Sequence, residues 1–125
     1  MSQSKILIVD DEMEFATTLA ERLQLRDFET VAVSGGEEAM ALLHTGWLAD
    51  VVLLDLKMPG LDGLAILDLI KQHDQTIEVI MITGHGATAS AIAGMHRGLF
   101  DYLMKPVDIG KLLDTIGLAV QKKRG

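Results

Sequence analysis

Five short runs dominated by apolar residues punctuate the chain: Lys5-Ile6-Leu7-Ile8-Val9, Thr30-Val31-Ala32-Val33, Val51-Val52-Leu53-Leu54, Glu78-Val79-Ile80-Met81-Ile82-Thr83 and Asp101-Tyr102-Leu103-Met104. Each predicts a strand. The third, apolar at every position, predicts a strand buried on both faces. Between the runs, apolar residues return at spacings of three and four, which predicts helices with one buried face. Phe15, Ala16, Leu19, Ala20 and Leu23 form the first such stripe. Ser34 with Glu37 reads as a capping box opening a helix through Ala39, Leu42 and Leu43, with Gly46 ending it. Asp62 is placed to cap a helix from about Gly63 to His73, with Ile66, Leu67 and Ile70 inward. Gly84 to Gly98 holds four glycines, and a glycine weakens a helix by about 1 kcal/mol relative to alanine. It predicts a helix over Thr88 to Arg97 of low local stability. Asp108 is placed to cap a last helix with Leu112, Leu113, Ile116, Ala119 and Val120 on one face.

Strand and helix therefore alternate five times. The pattern predicts an α/β fold with a parallel sheet covered by helices on both faces. Right-handed crossovers leave few topologies. With no internal repeat or linker, residues 1–125 read as one domain.

Composition narrows the function. There is no cysteine, which excludes disulfides and thiolate metal sites and suits the cytoplasm. The net charge of −7 argues against direct nucleic-acid binding by this domain. Lys122-Lys123-Arg124 is the only basic cluster, and it suits the negative end of a terminal helix. No apolar run approaches the roughly 20 residues that span a bilayer. The first residues do not read as a signal peptide, because the apolar run after them reaches Asp10.

Candidate chemistry lies where strands stop. Asp10-Asp11, Asp55, Thr83 and Lys105 each follow or end a strand. Parallel strands share one carboxyl edge, where open α/β sheets bind ligands. Two like charges about 4 Å apart at an effective dielectric near 20 repel by about 4 kcal/mol. Three clustered carboxylates therefore require a cation or a proton. Lys105 offsets one charge, and a hard divalent ion such as Mg²⁺ suits the rest. A hydroxyl at Thr83 and an ammonium at Lys105 suit phosphoryl oxygens. Together these groups specify phosphoryl transfer with Asp55 as nucleophile.

On these residues the chain resembles the receiver domains of two-component response regulators over essentially its whole length. The matching features are Val9-Asp10-Asp11, Asp55 with Met58-Pro59-Gly60, Asp62-Gly63, Ile82-Thr83-Gly84, and Phe100-Asp101-Tyr102 before Lys105-Pro106. The stretch from Met81 to Asp108 looks most like receivers attached to DNA-binding or ATPase effector domains. The resemblance implies a doubly wound, flavodoxin-like sheet in the order 2-1-3-4-5. It implies that Asp55 accepts a phosphoryl group from a phosphohistidine on a sensor histidine kinase or phosphotransfer protein. Asp11, Asp55 and the backbone carbonyl of Lys57 would bind Mg²⁺ directly, and Asp10 largely through water. Thr83 and Lys105 would hold the phosphoryl group, Tyr102 would be the switch aromatic, and the Lys105–Pro106 bond would be cis. The face made by the fourth helix, fifth strand and fifth helix would form a homodimer or dock an output partner. Such a domain is a signalling switch that catalyses only its own phosphoryl transfer and slow self-dephosphorylation. Lys57 departs from the family's frequent short polar residue there. It and His85 are the candidates for setting the lifetime of the phosphoryl group.

Three rival readings share parts of this pattern. A haloacid-dehalogenase-type phosphatase would want a second acid two residues after Asp55, where Lys57 stands. A flavodoxin-like flavin module needs a phosphate-cradling first loop, which Asp10-Asp11-Glu12 would repel. A receiver-like interaction module without phosphorylation would not need the intact set Asp10, Asp11, Asp55, Thr83 and Lys105. His44, His73 and His96 lack metal-ligand spacing and read as solvated. The seven methionines read as core filling.

Overall fold

A computed structural model of the chain describes residues 3–56, 62–84 and 88–124. Its elements run β1 (Lys5–Val9), α1 (Met13–Gln24), β2 (Glu29–Val33), α2 (Gly36–His44), β3 (Val51–Asp55), α3 (Gly63–His73), β4 (Glu78–Thr83), α4 (Thr88–His96), β5 (Asp101–Met104) and α5 (Ile109–Arg124). All strand pairs are parallel, and the sheet order is β2-β1-β3-β4-β5, as the resemblance implied.

Side chains alternate across a strand, so each central strand feeds two cores. Leu7, Val9, Val52, Leu54, Val79 and Met81 pack with Ala39, Leu43, Ile66, Leu67 and Ile70 of α2 and α3. Ile6, Ile8, Val51, Leu53, Ile80 and Ile82 pack with Ala16, Leu19, Leu23, Leu112, Ile116 and Ala119 of α1 and α5. This two-sided burial is why the strands read as nearly continuous apolar runs. Along α5 the inward stripe also takes in Thr115, whose hydroxyl donates to the Lys111 carbonyl at 2.8 Å.

Helix termini largely follow the sequence. The Asp62 carboxylate accepts from the Ala65 amide at 2.8 Å, and that of Asp108 from the Gly110 amide at 3.2 Å. Gly46 stands just past α2 with φ +91°, a conformation that favours glycine. The capping box expected at Ser34 and Glu37 does not form. Gly35, in extended conformation, is the N-cap, so α2 starts one residue later. Ser34 lies outside the helix, and its hydroxyl donates to the Glu38 carboxylate.

Candidate functional site

Register brings the strand ends level. Val9 pairs with Leu54, so the next residues, Asp10 and Asp55, come side by side. Asp55 pairs with Ile82, one residue before Thr83. Thr83 pairs with Met104, one residue before Lys105. The Lys105 amide donates to the Thr83 carbonyl at 2.8 Å, and the Lys105–Pro106 bond is cis, as expected.

Three carboxylates converge at this edge. One oxygen each from Asp10, Asp11 and Asp55 lies within 4.8 Å of the others. Asp10 and Asp55 are buried and Asp11 is exposed. The donor set is all hard anionic oxygen with one solvent-facing member. That fits a divalent cation such as Mg²⁺ that keeps part of its water shell.

Lys105 is the counter-charge at this edge among the described residues. Its Nζ lies 3.0 Å from Asp10 Oδ2, 2.6 Å from Glu12 Oε1 and 3.7 Å from Asp55 Oδ2. It also stands 4.6 Å from the centre of the Phe15 ring, a cation–π contact. Partial burial pulls the ammonium's pKa down. The hydrogen bonds to Glu12 and Asp10, with the charges of Asp10 and Asp55, outweigh that and leave it raised.

The site depends on a close approach by α3. The Gly63 amide donates to the Leu56 carbonyl at 3.0 Å. A Cβ at Gly63 would sit 2.7 Å from the Leu56 Cα and 3.0 Å from the Asp55 carbonyl oxygen. Only glycine lets the helix start against the end of β3.

The expected residues are thus brought to one edge, with two exceptions. Lys57 and His85 lie outside the described residues. The Thr83 side chain is buried, its hydroxyl 3.4 Å from the Gly84 carbonyl. Tyr102 stands on the exposed side of β5, with its amide bonded to the Asp101 carboxylate at 2.8 Å. Sequence reasoning missed Glu12 and Phe15 as partners of Lys105. Glu12 was visible only as the third acid of Asp10-Asp11-Glu12, and Phe15 only as part of the α1 stripe.

A groove of about 890 Å³ opens beside Lys105, lined by Glu12, Phe15, Leu19 and Val107 among others. Among the described residues no helix is long and apolar enough to cross a membrane.

Comparison with known proteins agrees with this geometry. The chain is 40% identical over 105 residues to the probable transcriptional regulator ycf27 of Guillardia theta, covering 84% of this chain and 41% of that protein. It is 35% identical over 122 residues to the regulatory protein AtoC of Escherichia coli (strain K12), covering 95% of this chain and 25% of that one. It therefore spans less than half the length of either regulator. Among solved structures, a response regulator receiver domain protein from Clostridium thermocellum superposes with a TM-score of 0.92 at 35% identity, over 97% of each chain. NtrX from Brucella abortus, solved in complex with ADP, superposes with a TM-score of 0.91 at 31% identity, over 98% of this chain and 28% of that one. The pattern of the response regulator receiver domain matches residues 6–117, and the chain belongs to that family of signalling modules.

Proposed function

We propose that residues 1–125 act as one receiver unit that takes a phosphoryl group onto Asp55 from a phosphohistidine of a sensor kinase or phosphotransfer protein. One observation carries this reading. Asp55 ends a fully buried strand with its carboxylate among those of Asp10 and Asp11 and within 3.7 Å of the Lys105 ammonium. A carboxylate oxygen of Asp55 attacks phosphorus while the nitrogen–phosphorus bond breaks. The histidine leaves as imidazole, and the product is an acyl phosphate. Lys105 and the Thr83 hydroxyl receive the phosphoryl oxygens. Asp10, Asp11, Asp55 and the backbone carbonyl of Lys57 are the groups that would hold Mg²⁺. When bound, it neutralises charge on the carboxylates and on the group in transfer.

The output side is the face of α4, β5 and α5. Ile92, Met95, Tyr102 and Met104 are exposed there, an apolar set suited to a second copy or an output partner. Movement of Thr83 toward the phosphoryl group frees space into which Tyr102 turns. Lys57 and His85 are assigned to the lifetime of the phosphoryl group. The similarity to transcriptional regulators supports control of transcription as the output.

The test uses acetyl phosphate as donor with Mg²⁺, read by intact mass. The wild type is expected to gain one phosphoryl group and Asp55→Asn none. Equal gain by both would overturn the assignment.

A further inference from the structure

Lys105 has two close acceptors, and they differ in kind. Asp10, its side chain 3% exposed, lies 3.0 Å away and is buried. Glu12, its side chain 65% exposed, lies nearer, at 2.6 Å. The Glu12 carboxylate is also spared the usual duty of its position. It is the N-cap of α1, yet its side chain makes no cap hydrogen bond. The backbone there is held without it: the Glu12 amide donates to Asp10 Oδ1 at 2.9 Å, and the Glu12 carbonyl accepts from the Ala16 amide at 2.9 Å. The side chain can therefore leave for water without unwinding the helix.

An ammonium has three donors. With Glu12 and Asp10 in place, the Lys105 Nζ sits 3.7 Å from Asp55 Oδ2, beyond hydrogen-bond distance. To hydrogen-bond a phosphoryl group on Asp55 the Nζ must close that gap, which draws it off one of its two present acceptors. The phosphoryl charge of roughly −2 outcompetes a single carboxylate. Asp10 is buried and fixed, so the exchangeable partner is Glu12.

We propose that Glu12 is a latch on Lys105: it holds the ammonium in the resting chain, competes with the arriving phosphoryl group, and swings into solvent when displaced. This deepens the proposed function and rests on Asp55 as the acceptor. Glu12 acts through Lys105, so it is a positioning residue that sets how readily the site accepts its charge.

The test compares wild type and Glu12→Gln using beryllium fluoride as the phosphoryl mimic at saturating Mg²⁺. An exposed ion pair is worth up to about 1 kcal/mol, so removal should tighten mimic binding about twofold to fivefold. Affinity for Mg²⁺ alone should stay level or weaken, since an acid beside the cation's carboxylates is gone. Tighter mimic binding without tighter Mg²⁺ binding separates a latch from general damage, which would weaken both. A second readout is the ¹⁵N resonance of the Lys105 ammonium. It should differ between the two free proteins and converge once the mimic is bound. Equal or weaker mimic binding by Glu12→Gln, or ammonium resonances that still differ in the bound state, would overturn the latch while leaving Asp55 as acceptor. Failure of the wild type to bind the mimic at all would overturn both.

Discussion

The two ends of the sheet handle buried acid in opposite ways. At the amino edge, Glu78 opens β4 almost wholly buried, yet Lys71 reaches it at 3.4 Å and Lys122 at 3.2 Å. Lys71 also donates to the Ile77 carbonyl at 2.6 Å. Asp50, just before β3, accepts from the Lys5 amide at 2.7 Å and has Lys123 at 4.0 Å. Arg124 completes the tie from α5 by donating to the Ser4 hydroxyl at 3.0 Å. Each of these acids has at least one lysine beside it. At the carboxyl edge Asp10, Asp11, Glu12 and Asp55 face one ammonium, Lys105, among the described residues. Among the described residues one end is thus closed, each acid with a lysine beside it, and the other is open, its carboxylates outnumbering the ammonium groups. A closed cluster clamps; an open one recruits cations and charged groups.

The comparison breaks most sharply under Mg²⁺. A ligand bound only by the native state adds about 2.7 kcal/mol at one hundred times its dissociation constant. Melts should show that gain for wild type and most of it lost in Asp11→Ala, while the metal-free variant stays level or gains stability from relieved repulsion. An equal Mg²⁺ response in both proteins would remove the distinction between the ends.

Glu78→Gln probes the closed end. It leaves Lys71 and Lys122 facing a neutral amide. The cost should be about 2 kcal/mol by denaturant unfolding, below that of a fully buried pair because Lys122 is 63% exposed. Its Mg²⁺ response should match the wild type, and a reduced response would show the ends to be coupled. Gly63→Ala strains the open end instead. The new Cβ meets backbone at 2.7 Å, so the start of α3 or the end of β3 must shift. We expect a cost of about 1–2 kcal/mol together with weaker Mg²⁺ binding. Loss of stability with unchanged Mg²⁺ affinity would mean that the shift is absorbed away from Asp55.

The smallest effect belongs to the turn leading to the closed end. The Asp74 carboxylate accepts from the Thr76 hydroxyl at 2.7 Å and the Thr76 amide at 2.9 Å, and these bonds hold its pKa below the ordinary 3.8. A depressed carboxyl stabilises above its unfolded pKa and loses that contribution as pH falls through the folded value. The melting difference between wild type and Thr76→Ala should therefore be small at neutral pH and shrink below about pH 3.8. Solvent screening keeps it small, and a difference that grows in acid would contradict the assignment.

How far the sequence reached follows from the range of each interaction. Strand and helix spans were legible because burial on both sheet faces writes itself as apolar runs and three-to-four spacing. The carboxyl edge was legible because parallel strands all end there, so Asp10, Asp55, Thr83 and Lys105 needed only the fold to meet. The cap at Ser34 failed because consecutive glycines let the chain enter α2 one residue later. Glu12 on Lys105 escaped notice because the pair spans 93 positions and no local pattern marks it. The amino-edge clamp escaped for the same reason: Glu78 read as an ordinary strand opening, and the lysines that cover it come from α3 and α5.

The central claim is that the open end takes a phosphoryl group at one carboxylate. Its most direct measurement is chemical mapping. The Mg²⁺-loaded protein is treated with acetyl phosphate, reduced with borohydride so that an aspartyl phosphate becomes homoserine, and sequenced by peptide mass spectrometry. Homoserine is expected at position 55 and nowhere else. Homoserine at Asp10 or Asp11, or modification persisting in Asp55→Asn, would contradict it.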